Sequence, residues 1–267
     1  MKSLNNILKI AVVQYEINKS NIEENLNKVT FFVSKENNDI IVLPEMGITG
    51  YDFVKLKEII KKIDDYINEL KSLSKNYKVT ICTTLPYQEE EAIYNRLFFI
   101  TPDGKLYHYD KQYLINWGGF LEKNFLVKGN SFQVVEYKNW LIGFGICYDL
   151  RFPELFYYIN EHSLKTYGDF LKLIIIPSQW PKRRVQHMVY LARARAIENL
   201  CYVVSANAIG SSGNLEFNGQ SQIIDPDGNP LIHLNDEEGI FSATIELNYV
   251  NQIQRERPIL RDRFFLD

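Results

Sequence analysis

Cysteine is scarce in this 267-residue chain: Cys82, Cys147 and Cys201 are odd in number and far apart. That excludes a disulfide framework and points to a reducing compartment, so a cytoplasmic protein is expected. No CxxC or HxxxH spacing is present, and the four histidines, His108, His162, His187 and His233, are scattered, so no metal site is expected. A basic excess is also missing. Thirty Lys and Arg against 33 Asp and Glu give a net charge of −3, which removes the counterion release that drives a dedicated nucleic-acid binder. Long apolar runs are absent too: LKLIIIP at 171–177 and WLIGFGIC at 140–147 fall far short of the ~20 residues that span a bilayer, so no membrane partner is expected. The start, MKSLNNILKIAVVQ, lacks a signal-peptide cleavage pattern. No Pro/Gly/Ser-rich linker interrupts the chain, so one domain over 1–267 is expected.

What is there is an alternation of short β-branched runs and amphipathic stretches. Residues 7–14 read as a strand, and Ser20-x-x-Glu23 offers a capping box for a helix with apolar positions Ile22, Leu26, Val29 and Val33. A strand at 39–45, a helix marked by Leu56, Ile59, Ile60, Ile63, Ile67 and Leu70, and a strand at 78–86 complete a βαβαβ order. Residues 93–111 alternate around a Pro-Asp-Gly turn and predict a hairpin. The second half repeats the scheme: strand WLIGFGIC, a helix opened by Pro153, strand LKLIIIP, a helix over about 183–198, strand 201–207 and a Pro-Asp-Gly hairpin at 221–234. Two facing sheets with helices outside satisfy both patterns, which makes the fold class α/β. The tail RERPILRDRFFLD reads as an arm that docks elsewhere, a partner subunit being one candidate.

Three reactive residues follow strands, where α/β sheets place their chemistry: Glu45 after IIVLP, Lys111 after YHYD and Cys147 after WLIGFGI. Each alone is unremarkable, as an acid entering solvent, a surface base or a buried thiol. Together they are a base, a cation and a nucleophile. A free thiol with a pKa near ~8.5 is mostly protonated at neutral pH and needs a nearby base or cation to attack. A cation beside Cys147, with the backbone N–H of Tyr148, would also stabilise the oxyanion of an acyl-transfer step.

The segments LPEMGITGYD, YDKQYL and GFGICYDLRFPE, in this order and spacing, resemble the three catalytic signatures of the nitrilase superfamily of carbon–nitrogen hydrolases. PSQWPKRRVQH, ARAIENLCYVVSANAIG and FNGQSQIIDPDGNP resemble the family's later segments, so the likeness covers nearly the whole chain. It implies an α-β-β-α sandwich that associates as a homodimer or higher oligomer, with Glu45 as general base, Lys111 as oxyanion and thiolate stabiliser and Cys147 as nucleophile. Glu122, in GGFLEKNF, matches the second glutamate that orients the lysine or the hydrolytic water. No cofactor is implied, and the partners are a small amide and water.

PSQWP, Arg184 and ARAIEN most resemble the omega-amidase branch, which hydrolyses monoamides of dicarboxylic 2-oxo acids such as 2-oxoglutaramate or 2-oxosuccinamate. Such a substrate needs a cation for its carboxylate, for which Arg184 is the candidate, with Trp180 as an apolar wall. Arg151 competes, but a structural pairing with Glu154 or Glu198 is expected for it. His187-Met188 stands where relatives often carry His-Trp. The rival readings are an N-carbamoyl-amine or N-carbamoyl-amino-acid amidohydrolase, a nitrilase, a papain-like hydrolase using His187 or His233, and an inactive binding protein of the same fold. A synthetase-linked glutaminase is disfavoured, because neither GxxxxGK[ST] nor GxGxxG occurs.

Overall fold

Burial alternates along the strands because successive side chains point to opposite faces, and this builds the layers. In a computed structural model that describes residues 6–264, β1 (Ile7–Gln14) sends Ile10 and Val12 into one core and Ala11 and Val13 into another. The strands that follow are β2 (Ile40–Val42), β3 (Thr80–Glu89), β4 (Ala92–Ile100), β5 (Leu106–Asp110), β6 (Val134–Tyr137), β7 (Trp140–Phe144), β8 (Leu173–Pro177) and β9 (Tyr202–Ala206). β10 (Ile209–Ser212), β11 (Leu215–Asn218), β12 (Gln222–Ile224), β13 (Pro230–His233) and β14 (Gly239–Glu246) complete the set. The helices are α1 (Ile22–Val33), α2 (Leu56–Lys61), α3 (Ile63–Tyr77), α4 (Pro153–Tyr167), α5 (Val185–Asn199), α6 (Leu247–Glu256) and α7 (Ile259–Phe264). None of the described helices is long and apolar enough to cross a membrane.

Two six-stranded mixed sheets result, ordered β14-β1-β2-β3-β4-β5 and β13-β12-β9-β8-β7-β6. Each has three central parallel strands, β1-β2-β3 or β7-β8-β9, extended by a hairpin and flanked by one antiparallel strand. The central core lies between the sheets, where Ile10, Val42 and Phe99 of the first meet Phe144, Ile174 and Val204 of the second. On the other face of the first sheet, Leu26 and Val29 of α1 and Ile67 and Leu70 of α3 cover Val13, Ile41 and Ile81. On the second sheet Met188, Ala192 and Ala196 of α5 are buried against the same core as the strands. The two-sheet α-β-β-α expectation is therefore met, down to the repeated topology of the halves.

The structure departs from the sequence reading in several places. Asn21, not Ser20, caps α1, its Oδ1 accepting the Glu24 N–H at 3.1 Å, while Ser20 donates its N–H to Asn18. The single helix expected over 56–70 breaks at Lys62, whose φ of −110° ends α2 and starts α3 without a proline or glycine to announce it. β6, β14 and the small β10–β11 hairpin were not anticipated. β6 turns into β7 through Lys138 and Asn139, both at positive φ, the two-residue turn that matches strand twist. β14 returns to the first sheet and pairs with all eight residues of β1. The tail docks on its own chain: Leu260 is buried with Leu200 and Ile253, and the Phe264 ring lies 4.8 Å from Tyr157. Residues 265–267 of that expected arm lie outside the described residues.

Candidate active site

Glu45, just past β2, is fully buried and tied across to the second sheet. Its N–H donates to the Ser178 carbonyl at 3.3 Å, and its carbonyl accepts from Gln179 Nε2 at 2.6 Å. Lys111, just past β5, is anchored through its backbone, donating to Asn95 O at 3.0 Å and accepting from the Gly129 N–H at 2.8 Å. Strand register places Asn95 opposite Pro86 and next to Arg96, which pairs with Asp110 of β5. The Asn95 side chain consequently faces the same interior as Lys111.

The charged groups meet there. Lys111 Nζ donates to Glu45 Oε1 at 2.7 Å and to Glu122 Oε1 at 2.8 Å, all three side chains being fully buried. Asn95 Nδ2 donates to Glu45 Oε1 at 2.8 Å and to Glu122 Oε1 at 3.3 Å, and the Tyr51 hydroxyl donates to Glu122 Oε1 at 2.9 Å. Burial alone would lower the Lys111 ammonium, but Glu122 first and then Glu45 and Cys147 more than reverse it, so its pKa is raised and the charge is held. Glu45 Oε2 has no hydrogen-bond partner. One oxygen of this carboxylate is saturated with donors; the other is free to take a proton.

Cys147 opens a short 3-10 turn, Cys147–Arg151, directly after β7. Its φ of +45° is a left-handed conformation that side chains other than glycine avoid at a cost of about 1–3 kcal/mol. Asp149 holds the turn: its Oδ2 accepts the Ile146 N–H and the Tyr109 hydroxyl, both at 2.9 Å, and its Oδ1 accepts the Tyr113 N–H at 2.9 Å. Burial pushes the Asp149 carboxyl up to about 7, against the opposing pull of Lys111 and these donors. Burial and the Glu45 carboxylate push the Cys147 thiol up, with Lys111 and the Gln179 backbone N–H pulling the other way. The resting sulfur is therefore a thiol that needs a base.

A small cavity, with about 20 Å³ of free space, joins Lys111 and Cys147 to Tyr148, Trp180, Arg151 and Arg184. The sequence-derived candidates Tyr148, Trp180 and Arg184 thus stand on the same space as Lys111 and Cys147, with Glu45 and Glu122 bonded to Lys111 beside it. Arg151 is a correction. Arg195 takes Glu198 at 2.7 Å, and Arg151 instead lies 4.4 Å over the Trp180 ring with Nη2 3.1 Å from His187 Nδ1. Among the described residues neither Arg151 nor Arg184 has a carboxylate partner, and burial is the first cause lowering the pKa of each. The histidines proposed for a papain-like site are occupied elsewhere: His187 meets Arg151, and His233 meets Gln220 and Arg193. No group of three or more His, Cys, Asp or Glu side chains among the described residues is arranged to hold a metal.

Sequence reasoning missed Tyr51, Asn95, Asp149 and Gln179. Tyr51, Asp149 and Gln179 lie inside quoted segments, so their proximity to Glu45, Cys147 and Trp180 was available as a signal. Asn95 sits in mid-strand with none.

The family of carbon–nitrogen hydrolases matches residues 9–255. The chain is 32% identical to a 2-oxoglutaramate amidase of Bacillus subtilis strain 168 over 95% of its length and 96% of the relative's. It is also 32% identical to the omega-amidase YafV of Escherichia coli strain K12, over 71% of its length and 70% of the relative's. Among solved structures, XC1258 from Xanthomonas campestris, a CN-hydrolase superfamily protein with an arsenic adduct in its active site, superposes with a TM-score of 0.87 at 27% identity. That alignment covers 96% of this chain and 97% of that one. A match over most of the length, on a two-sheet frame that buries Glu45, Lys111 and Glu122 together, leads to one statement: this chain belongs to the carbon–nitrogen hydrolase family.

Proposed function

We propose that the chain is an omega-amidase, acting as one domain, which cleaves the terminal amide of a small carboxylate substrate such as 2-oxoglutaramate or 2-oxosuccinamate to the acid and ammonia. The observation that carries this reading is the charge layout of one cavity: a buried Glu–Lys–Glu group at the thiol and two guanidiniums without carboxylate partners on the lining. The amidase and omega-amidase names of the relatives support the same class.

In the proposed cycle Glu45 Oε2 takes the Cys147 proton as sulfur adds to the amide carbon, and the oxyanion forms between Lys111 Nζ and the Tyr148 N–H. Glu45 returns the proton to the departing nitrogen, ammonia leaves, and a thioester remains. Water, deprotonated by the same carboxylate, adds to the thioester and expels the thiolate, which regains a proton. Glu122 holds Lys111 together with Glu45. Arg184 grips the distal carboxylate and Trp180 walls the carbon chain. Arg151, which stacks on that indole, stands ready to share the anion.

The test is ammonia release from 2-oxo-acid monoamides, N-carbamoyl amines and simple aliphatic amides, by wild type and Cys147→Ala. Turnover of 2-oxoglutaramate or 2-oxosuccinamate, lost in the variant, is expected. Carbon dioxide accompanying ammonia would instead support the N-carbamoyl reading. Equal turnover by both proteins would end the cysteine mechanism. We also read the protein as a homodimer or larger homo-oligomer, on the support of α5, whose outer side exposes Tyr190 at 66% and Ile197 at 49%. Light scattering that gives a monomer mass would reject that reading.

A further inference from the structure

Beside the cavity lies an open groove floored by Tyr113 and Phe152, whose rings stack at 3.6 Å, and edged by Leu126 and Lys128. The two spaces share a wall. Tyr148 lines both; Trp117 lines the groove, and its ring lies 4.4 Å from the Arg184 guanidinium, which lines the cavity. Trp117 Nε1 donates to the Tyr148 hydroxyl at 3.2 Å, and the two rings meet edge to face. The proposed cycle makes no use of Trp117, yet its position is held by Tyr148 and by Arg184.

The loop that carries it is closed at its base by Glu122: Glu122 N–H donates to Ile115 O at 3.0 Å, and Ile115 N–H donates to Glu122 Oε2 at 2.9 Å. At its tip Gly118 and Gly119 take φ of +68° and +99°, and the Gly118 carbonyl accepts from Arg183 at 2.6 Å and Arg184 at 3.3 Å. A Cβ on Gly118 would stand 2.4 Å from Arg184, so the tip follows the guanidinium closely. Where Arg184 stands, the indole stands.

We infer that Trp117 determines chain-length specificity: with Tyr148 it closes the cavity against the groove, and so limits how many methylenes can separate the scissile amide from the distal end of the substrate. This rests on the amidase reading above. An amide placed at Cys147 with its carboxylate on Arg184 spans a fixed distance, and a longer chain must run into the indole. Removing the indole joins the cavity to the groove, whose aromatic floor accepts further methylenes.

The test measures kcat/KM by ammonia release for wild type, Trp117→Ala and Trp117→Phe on two series, the monoamides succinamate through suberamate and the neutral amides acetamide through octanamide. In wild type kcat/KM falls beyond a preferred length. In Trp117→Ala the fall starts later, and the ratio of the next longer substrate to the preferred one rises about tenfold, the usual worth of a methylene in an apolar site. Trp117→Phe keeps a ring in place and stays within about threefold of wild type in that ratio, which also shows that the loop tolerates replacement. An unchanged length profile in Trp117→Ala, with every substrate scaled alike, overturns the inference. If wild type turns over only neutral amides, the carboxylate reading fails while the neutral series still decides the gate. Turnover of neither series overturns both.

Discussion

The two groups of charge in this molecule have opposite bookkeeping. At the base of the cavity Lys111 is fully buried between Glu45 and Glu122, and Asn95 and Tyr51 add donors to the same carboxylates. On the lining, Arg151 and Arg184 are partly exposed, stack on Trp180 and Trp117, and meet no carboxylate among the described residues. Burying a charge without a partner costs several kcal/mol, so the Lys111 ammonium has to meet its carboxylates already in the resting protein. A guanidinium resting on an indole at the rim tolerates an open partnership, because water and the aromatic face share its charge. The inner group, paired except at Glu45 Oε2, is therefore suited to chemistry, and the outer one to recognition of an anion.

Substitution on each side should break the comparison if it is wrong. Glu45→Gln has the largest expected effect. The amide oxygen can still accept from Lys111 and Asn95 while its NH2 takes the unpartnered side, so the protein folds but loses its base, and kcat falls ~10³-fold. Steady-state kinetics with an unchanged melting temperature would bear this out; a fall in affinity with kcat intact would not. Arg184→Ala should act the other way, raising KM for an anionic monoamide ~10–100-fold through the loss of charge-assisted hydrogen bonds. For a neutral amide too short to reach Trp117, such as acetamide, kcat/KM should change by less than about twofold, since no anion is there to lose its partner. Equal losses on both substrates would remove the recognition role.

Asp149 sharpens the inner side. Its carboxyl, pushed up to about 7 by burial, lies above the ordinary value of ~3.9 in an unfolded chain. A raised folded-state pKa means that the native protein holds the extra proton. The linked stability is fully present below the unfolded value and is lost as pH rises through about 7. Melting temperatures should therefore drop between mildly acid and mildly alkaline buffer, and Asp149→Asn should remove that part of the drop. The same slope in both proteins would assign it to another group. The smallest effect is expected for Tyr51→Phe, which removes one of several donors to Glu122 and should cost about 1 kcal/mol, or roughly fivefold in kcat/KM.

Much of the frame was legible because its signals are local. Pro153 starts α4, and both Pro-Asp-Gly turns close hairpins. β1 spans the predicted residues 7–14. The misses have local reasons as well: the β6–β7 turn uses Lys138 and Asn139 where a glycine would have announced it, and Lys62 interrupts a helical pattern whose apolar spacing continues across the break. Glu45, Lys111 and Cys147 could be picked out because each follows a strand within a recognisable segment. Asn95 could not, because only the pairing of β3, β4 and β5 brings it to Lys111.

The residue string by itself determined the alternation of strands and helices over most of the chain, the family likeness and the types of reactive group, since periodicity, turn chemistry and motif spacing are written along the chain. Which groups share charge was decided only on folding. Arg151 was expected to pair with a glutamate and instead lies on Trp180, because its nearest neighbours come from segments some thirty positions away. Glu45 is left with one saturated and one free carboxylate oxygen for the same reason: the donors to Oε1 arrive from β4 and from the end of β5, and contacts over such separations follow from packing, not from local sequence.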